Sequence, residues 1–239
     1  MLELMGNGGF GDCLVVFARV FSLKAPFKVN LNDTRLTFFT NVRAKSTLGV
    51  SIPEFYESQG INCRMVFGGN GASWVQKNRQ DFDYYLSGRW HGKNRGEDNW
   101  EINPFPVIKH EKKPGIDVVI APVAGWDNKR KFNGTVLRNF VVSIPKHRHL
   151  TYVGRGNKTY RNSIANLRGN SLLNATTAKE LVDVVCSAKV VIGNPGFITY
   201  LACMAGKKVF STREAFSRSY FHPKWNANFI TRLMDVGRL

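Results

Sequence analysis

The sequence lacks carboxylates over a long internal stretch. Residues 128–179 contain no aspartate or glutamate but eleven lysines and arginines. The whole chain of 239 residues has 34 lysines and arginines against 17 aspartates and glutamates, a formal net charge of +17. Such a charge destabilises a compact chain through self-repulsion, and an acidic partner offsets that cost. The composition therefore predicts a polyanionic partner, with a generally basic solvated surface as the alternative.

Long apolar runs and clustered cysteines are also missing. No window approaches the 18 or more apolar residues of a membrane span, and residues 1–6 lack a basic segment followed by an apolar one. The cysteines lie far apart, which fits neither paired zinc ligands nor a dense disulfide framework; they are Cys13, Cys63, Cys186 and Cys203. We therefore expect buried free thiols, no metal site and a cytoplasmic protein without a membrane span.

Helical and strand patterns alternate along the chain. Helices are predicted at 13–23, 52–58, within 175–189 and from 197, with strands at 35–40, 63–67, 83–87, 117–121, 150–153 and 190–192. In the 175–189 helix, Thr176 or Thr177 is the predicted N-cap, and Glu180 lies near the capping-box position. This alternation indicates an α/β protein with parallel sheets. Polar residues and prolines interrupt the pattern over 91–116. We therefore predict domains at 1–108 and 109–222, followed by a C-terminal segment, 223–239, that contains a helix from 226.

Residues 190–206 run from a β-branched strand through a tight turn into a helix of small residues. The first turn of such a helix presents unpaired N–H groups and the positive end of its dipole, which together bind phosphates. The alternative is an ordinary βαβ turn. The residues predicted to shape or contact an anion here are Asn194, Gly196, Phe197 and Thr199.

Two further motifs precede this turn in the same order as in a known family. Gly9-Phe10-Gly11-Asp12 opens a helix, and an apolar strand from Val118 leads into a loop that carries Lys129 and Arg130. With the 190–206 segment, these motifs resemble the heptosyltransferase-like family of GT-B glycosyltransferases. The sequence departs from that family at Pro195, where an acidic residue is usual, and at Tyr200, where a histidine is usual.

The resemblance implies a fold and a set of roles. The fold is GT-B-like, with two Rossmann-like lobes, parallel sheets and an interdomain cleft. Asp12 is then the catalytic base, with helix capping as its alternative role, and Gly9 and Gly11 allow a close approach of the acceptor or donor. Lys129 and Arg130 would neutralise the donor diphosphate. Asp81-Phe82-Asp83 is interpreted as a surface pair, so we expect a metal-independent enzyme with no cofactor beyond a nucleotide-sugar.

The carboxylate-free basic stretch, residues 128–179, favours an acidic acceptor. The leading hypothesis is a phage enzyme in the host cytoplasm that glycosylates hydroxymethylated bases in DNA. The predicted nucleic-acid contacts are Lys131, Arg138, Lys146, Arg148, Arg155, Lys158 and Arg161. The alternatives are a lipopolysaccharide-core glycosyltransferase and a non-catalytic nucleic-acid-binding protein on a GT-B scaffold.

Overall fold

The computed structural model describes the chain at residues 1–7, 10–21, 23–32, 52–65, 77–86, 88, 90, 98, 100–122, 134–154, 164, 166–173, 175–211 and 221–229. The chain divides into two compact units, and the main boundary between them falls between Lys109 and His110. The domain bounds 1–108, 109–222 and 223–239 stay predictions.

The first unit contains a four-stranded sheet in which every pairing is parallel. Its order is β3-β2-β1-β4. The strands are β1 (Leu2–Asn7), β2 (Phe27–Asn32), β3 (Cys63–Met65) and β4 (Tyr84–Leu86), and the helices are α1 (Phe10–Val20) and α2 (Ile52–Ser58). Consecutive parallel strands need a crossover, which α1 supplies between β1 and β2.

Aromatic packing holds α1 against α2. The ring of Phe17 lies 5.1 Å from that of Phe55 and 5.7 Å from that of Tyr56, both edge to face. The buried Tyr56 hydroxyl donates a 2.6 Å hydrogen bond to the carbonyl of Cys13. Burial raises the pKa of Tyr56 well above its usual value. The hydroxyl therefore stays protonated and fixes the first turns of α1, which carry the predicted base.

The second unit contains a six-stranded parallel sheet in the order β10-β9-β8-β5-β6-β7. The strands are β5 (Val118–Ala121), β6 (Leu150–Tyr152), β7 (Asn170–Ser171), β8 (Val190–Gly193), β9 (Lys208–Ser211) and β10 (Ala227–Phe229). The helices are α3 (Gly134–Ser143), α4 (Ala178–Ser187) and α5 (Phe197–Met204). Apolar residues of α3, β5, β6 and β8 form a common buried core. The predicted α/β class with parallel sheets is confirmed.

The predicted helix from residue 226 is wrong in its described part. Ala227–Phe229 is the strand β10, which pairs in parallel with β9. The edge of β9 has backbone donors and acceptors that need partners, and satisfying them outweighs the local helical tendency of a short segment. The strand predicted at 35–40 lies outside the described residues, whereas β2 at Phe27–Asn32 was not predicted.

All four cysteines are buried and unbridged, as predicted. Burial raises the pKa of Cys63 and of Cys186 to about 12. Since the thiolate is the reactive form of cysteine, these thiols act as small apolar core residues. In the described parts of the chain, no helix combines the length and apolar character needed to cross a bilayer.

One carboxylate ties together the amino ends of three strands in the second sheet. Asp117 precedes β5, and its carboxylate accepts a 3.0 Å bond from the N–H of His149, just before β6. The same carboxylate lies 2.7 Å from the ammonium of Lys189, just before β8, and 3.8 Å from the Arg148 guanidinium. The His149 N–H bond, followed by Lys189, lowers the pKa of Asp117.

We expect Asp117→Asn to lower the free energy of unfolding at pH 7 by about 1–2 kcal/mol, because the charged hydrogen bonds weaken. The pKa of Asp117 is lower in the folded chain than its ordinary value of 3.8. The stabilisation is therefore present above that value and is lost as the pH falls through the lower folded pKa. Urea unfolding of both proteins should show a gap that narrows in acid. A gap that is constant with pH would contradict this role.

Candidate functional site

The order in which the chain adds strands to the second sheet reverses at β5. The chain proceeds from β5 to β6 and β7 on one side and then returns to β8 on the other side of β5. In open parallel sheets, ligands bind beyond the carboxyl ends of the strands at such a switch point. Here those ends are Ala121 of β5 and Gly193 of β8, which are paired in register. The two motifs that were predicted to bind the donor therefore begin on adjacent strands at one edge.

Gly193 allows the strands and the following helix to approach closely. A Cβ atom at this position would lie 3.1 Å from the Cβ of Ala121, 3.2 Å from its carbonyl oxygen and 3.2 Å from Cγ2 of Thr199. These separations are tighter than ordinary van der Waals contact. The absence of a side chain at Gly193 therefore brings the start of α5 against the end of β5.

Thr199 organises the turn between β8 and α5. Its Oγ1 accepts a 3.0 Å bond from the N–H of Gly196 and lies 3.0 Å from the carbonyl oxygen of Asn194 and 3.1 Å from that of Gly196. A threonine hydroxyl has one proton to donate, so one of these carbonyls takes it. Thr199 and Asn194 are both buried. In this arrangement Thr199 holds the backbone of the turn in place, and its contact with a donor stays a prediction.

The start of α5 has the chemical groups that the predicted anion site needs. The N–H groups in the first turn of a helix have no preceding carbonyls within that helix, and the helix dipole places positive charge at the same end. In α5 these groups follow Gly196, and every residue of the helix is buried. Because burial reduces screening by water, the partial charges act more strongly on a nearby phosphate.

Tyr200 replaces the histidine of the resembled family and has a packing role. Its ring lies 5.7 Å from that of Phe221 and 5.5 Å from that of Trp225. All three side chains are buried. The cluster fixes the segment before β10 against α5, which accounts for an aromatic residue at this position.

The predicted base lies at the corresponding edge of the first sheet. There β1 leads to β2 and β3 on one side, whereas β4 pairs with its other side. Asp12 is the acidic residue in the first turn of α1, which follows the carboxyl end of β1. Asp12 and Gly11 are both half-buried. Each candidate motif thus lies at the switch point of its own sheet, and the cleft expected between the lobes stays a prediction.

Several predicted site residues lie outside the described part of the chain. These are Gly9, Lys129, Arg130, Lys131, Arg155, Lys158 and Arg161. Of the predicted nucleic-acid contacts that the structure describes, Lys146 and Arg148 line one groove, whereas Arg138 is exposed on α3 and does not line it. The contact of these residues with nucleic acid stays a prediction.

Arg168 supports this groove, although it was not predicted as a site residue. Its Nη1 donates to the carbonyls of Arg148 (2.7 Å) and Lys146 (3.2 Å). Its Nη2 donates to the carbonyls of Ile144 (2.7 Å) and Pro145 (2.9 Å). The guanidinium thus holds the loop that follows α3 while keeping its positive charge. No sequence signature marks such an arginine, because its acceptors are backbone carbonyls.

The Asp81-Phe82-Asp83 pair belongs to the first unit, whereas the candidate donor edge belongs to the second. Asp81 ends a short 3₁₀ turn and is exposed. Asp83 precedes β4, and its carboxylate accepts a 2.7 Å bond from the N–H of Glu3 in β1. The pair therefore flanks the amino ends of its sheet. Within the residues that the structure describes, no group of three or more histidine, cysteine or acidic residues has metal-binding geometry.

The fold of the chain is similar to that of known glycosyltransferases. The similarity to the dodecameric glycosyltransferase TibC of enterotoxigenic Escherichia coli covers 97% of this chain and 63% of the TibC chain, with 13% sequence identity and a TM-score of 0.55. The similarity to a family 9 glycosyltransferase from Veillonella parvula covers 98% of this chain and 90% of that protein, with 9% sequence identity and a TM-score of 0.55. The similarity to the E. coli heptosyltransferase WaaC, in its structure with ADP-2-deoxy-2-fluoro heptose, covers 95% of this chain and 92% of WaaC, with 9% sequence identity and a TM-score of 0.55.

These similarities establish a GT-B-like α/β fold. The chain spans less than two thirds of TibC. No protein-family model and no curated protein matches the sequence.

Proposed function

We propose that this protein is a glycosyltransferase that moves a sugar from a nucleotide-sugar to a hydroxyl of an acidic acceptor. The main support is that Asp12 and the Gly193–Thr199 turn each lie at the carboxyl-edge switch point of a parallel sheet. This is where α/β folds bind ligands. The similar fold of WaaC, with its bound ADP-sugar analogue, is in keeping with this proposal.

In the proposed reaction, Asp12 removes the proton from the acceptor hydroxyl. The acceptor oxygen attacks the anomeric carbon of the donor as the bond from that carbon to the diphosphate oxygen breaks, so the configuration inverts. The departing nucleoside diphosphate carries the bonding electrons. Lys129, Arg130 and the N–H groups that follow Gly196 stabilise its charge. In this scheme no step requires a metal ion.

The proposed acceptor is DNA that contains hydroxymethylated bases. The net charge of +17 and the carboxylate-free stretch support a polyanionic acceptor. A target base would have to leave the duplex to reach a catalytic site. The second candidate is an acidic lipopolysaccharide core sugar, favoured by the similar fold of an E. coli lipopolysaccharide heptosyltransferase, with a TM-score of 0.52. A non-catalytic scaffold that binds nucleic acid is the third.

A transfer assay separates these candidates. The protein is incubated with UDP-glucose, GDP-mannose or ADP-heptose together with hydroxymethylated DNA, unmodified DNA or a truncated lipopolysaccharide core. We expect the mass of one sugar on hydroxymethylated DNA and none on unmodified DNA. Sugar on the lipopolysaccharide core alone would replace the DNA acceptor by the second candidate. Absence of both transfer and donor hydrolysis would contradict the enzymatic proposal.

Affinity for DNA gives an independent measure of the acceptor. For a protein that neutralises phosphates, the logarithm of the binding constant falls linearly with the logarithm of salt concentration. We expect such a decline for duplex DNA in a filter-binding or anisotropy titration. No measurable affinity at low salt would remove DNA as the acceptor, while leaving glycosyl transfer to another acceptor open to the assay above.

A further inference from the structure

A groove lined by basic residues lies apart from the candidate donor edge. A groove of about 880 Å³ runs along α4, past β7 and the amino ends of β5 and β6. Its lining includes Leu150, Gly169, Thr176 and Glu180, and it includes no residue of the Gly193–Thr199 turn. All lining residues belong to the second unit. The groove is therefore a separate feature from the switch-point site.

The charge of the groove is strongly unbalanced. It is lined by Lys113, Lys146, Arg148, Arg168 and His149, against the single carboxylate of Glu180. The terminal nitrogens of Arg168 donate to backbone carbonyls, which are neutral, so these bonds leave the positive charge of the guanidinium in place. Lys113 lies 3.4 Å from Glu111 and 3.9 Å from Asp183, and Arg148 lies 3.8 Å from Asp117, so these carboxylates partly offset both charges. Lys179 and Lys189 lie closer to the same carboxylates and share them. A net positive potential remains at the groove.

The one carboxylate among the described residues of the groove lining, that of Glu180, lowers this potential and is held at the start of α4 by hydrogen bonds. Its carboxylate accepts a 2.8 Å bond from the N–H of Thr177, while its own N–H donates to the Thr177 hydroxyl at 3.2 Å. This is the reciprocal capping box at the start of α4, in which Thr177, and not Thr176, is the N-cap. The Thr177 N–H bond, followed by the Thr177 hydroxyl and the charges of Lys113 and Lys179, lowers the pKa of Glu180. Its carboxylate is therefore held at the helix terminus and offsets one positive charge of the groove.

A buried hydroxyl at the groove has no partner. Thr176 is 7% exposed, and its Oγ1 makes no hydrogen bond to any described residue. Leaving a buried hydroxyl unsatisfied costs stability, and an oxygen of a bound ligand would supply the missing acceptor. Phosphate oxygens accept bonds from hydroxyls and from lysine and arginine, so one ligand group satisfies both features.

We propose that this groove binds a phosphate ester. The phosphate would lie among Lys146, Arg148 and the Thr176 hydroxyl. The volume greatly exceeds that of one phosphate, and the apolar residues Leu150, Leu172 and Val184 in the lining suit an organic group attached to it. The ester belongs either to a free phosphorylated sugar or to the phosphodiester backbone of nucleic acid.

Two probes separate these sources. Glucose 6-phosphate represents the free ester, with glucose as its neutral control, and an eight-residue oligothymidylate without terminal phosphate represents the backbone. Binding is measured by calorimetry for the sugars and by fluorescence anisotropy for the oligonucleotide, at low salt. At least one phosphate ester should bind, and glucose should not.

Three variants locate the binding. Thr176→Val keeps the shape of the side chain and removes the hydroxyl, which should weaken binding about tenfold, the effect of one charge-assisted hydrogen bond. Lys146→Gln should weaken binding roughly two- to fivefold through lost charge. Lys112→Gln makes the same charge change at an exposed neighbour that does not line the groove, and should change binding less than about twofold.

The stability of these variants gives a readout that does not depend on the probe. Because the hydroxyl is unpartnered, Thr176→Val should unfold at the same or a higher denaturant concentration than the natural chain. The proposal is overturned if neither ester binds, if Thr176→Val and Lys146→Gln bind as the natural chain does, or if Lys112→Gln loses as much affinity as Lys146→Gln. None of these measurements depends on glycosyl transfer.

Discussion

Asp12→Asn is expected to reduce glycosyl transfer by about 10²- to 10⁴-fold, the typical contribution of a general base. Asparagine has nearly the same shape but cannot take the proton of the acceptor hydroxyl. Asp12 also lies in the first turn of α1, where a negative charge favours the helix, so the variant should lose only about 0.5 kcal/mol of stability. Initial rates at saturating donor, with circular dichroism of both proteins, check the result.

Asp81→Asn is the matched control for this experiment. It makes the same chemical change at an exposed carboxylate of the same unit. We expect its transfer rate to stay within about twofold of the natural rate, since surface charges away from a site act weakly. It also tests whether the Asp81-Phe82-Asp83 pair holds a catalytic metal. Natural activity in Asp12→Asn would show that another group is the base.

Gly169→Ala is expected to lower the free energy of unfolding by about 3 kcal/mol, because it combines backbone strain with overlap in a packed region. Gly169 has a φ of +120°, which side chains rarely adopt. A Cβ there would lie 2.9 Å from the Cβ and from the carbonyl oxygen of Leu150, and 2.9 Å from Cε2 of Tyr152. The backbone oxygen belongs to β6 and cannot move without disturbing the sheet.

Gly115→Ala separates the cost of backbone strain from the cost of atomic overlap. Gly115 also has a positive φ, +71°, but a Cβ there would meet no atom within 4 Å. Its substitution should cost about 1 kcal/mol, the conformational term alone. Both free energies are measured by urea unfolding under the same conditions. Equal costs for the two variants would show that the contact with Leu150 contributes nothing.

The elements near the candidate donor site could be predicted because their signals are local. The Thr177 and Glu180 capping box marks the start of α4, and the β-branched run before Gly193 marks β8. The β2 strand also carries a local signal that was missed, since Phe27, Val29 and Leu31 alternate with polar residues. By contrast, β10 is three residues long and depends on the edge of β9, which only the folded sheet provides.

The groove beside α4 could not be predicted from spacing. Lys113, Lys146 and Thr176 are far apart along the chain, and the strand order places them around one groove. The carboxylate-free stretch indicated an acidic ligand without showing which cations share a surface. The role of Thr199 in the turn likewise depends on carbonyl positions that follow from the turn geometry.

Hydrogen–deuterium exchange with and without nucleoside diphosphates tests the central claim most directly. The protein is measured alone and with saturating ADP, UDP or GDP. We expect at least one of them to slow exchange in peptides that cover Gly193–Thr199, because the diphosphate accepts bonds from the N–H groups at the start of α5. Nucleotide binding without slower exchange in these peptides would contradict the assignment of the donor site.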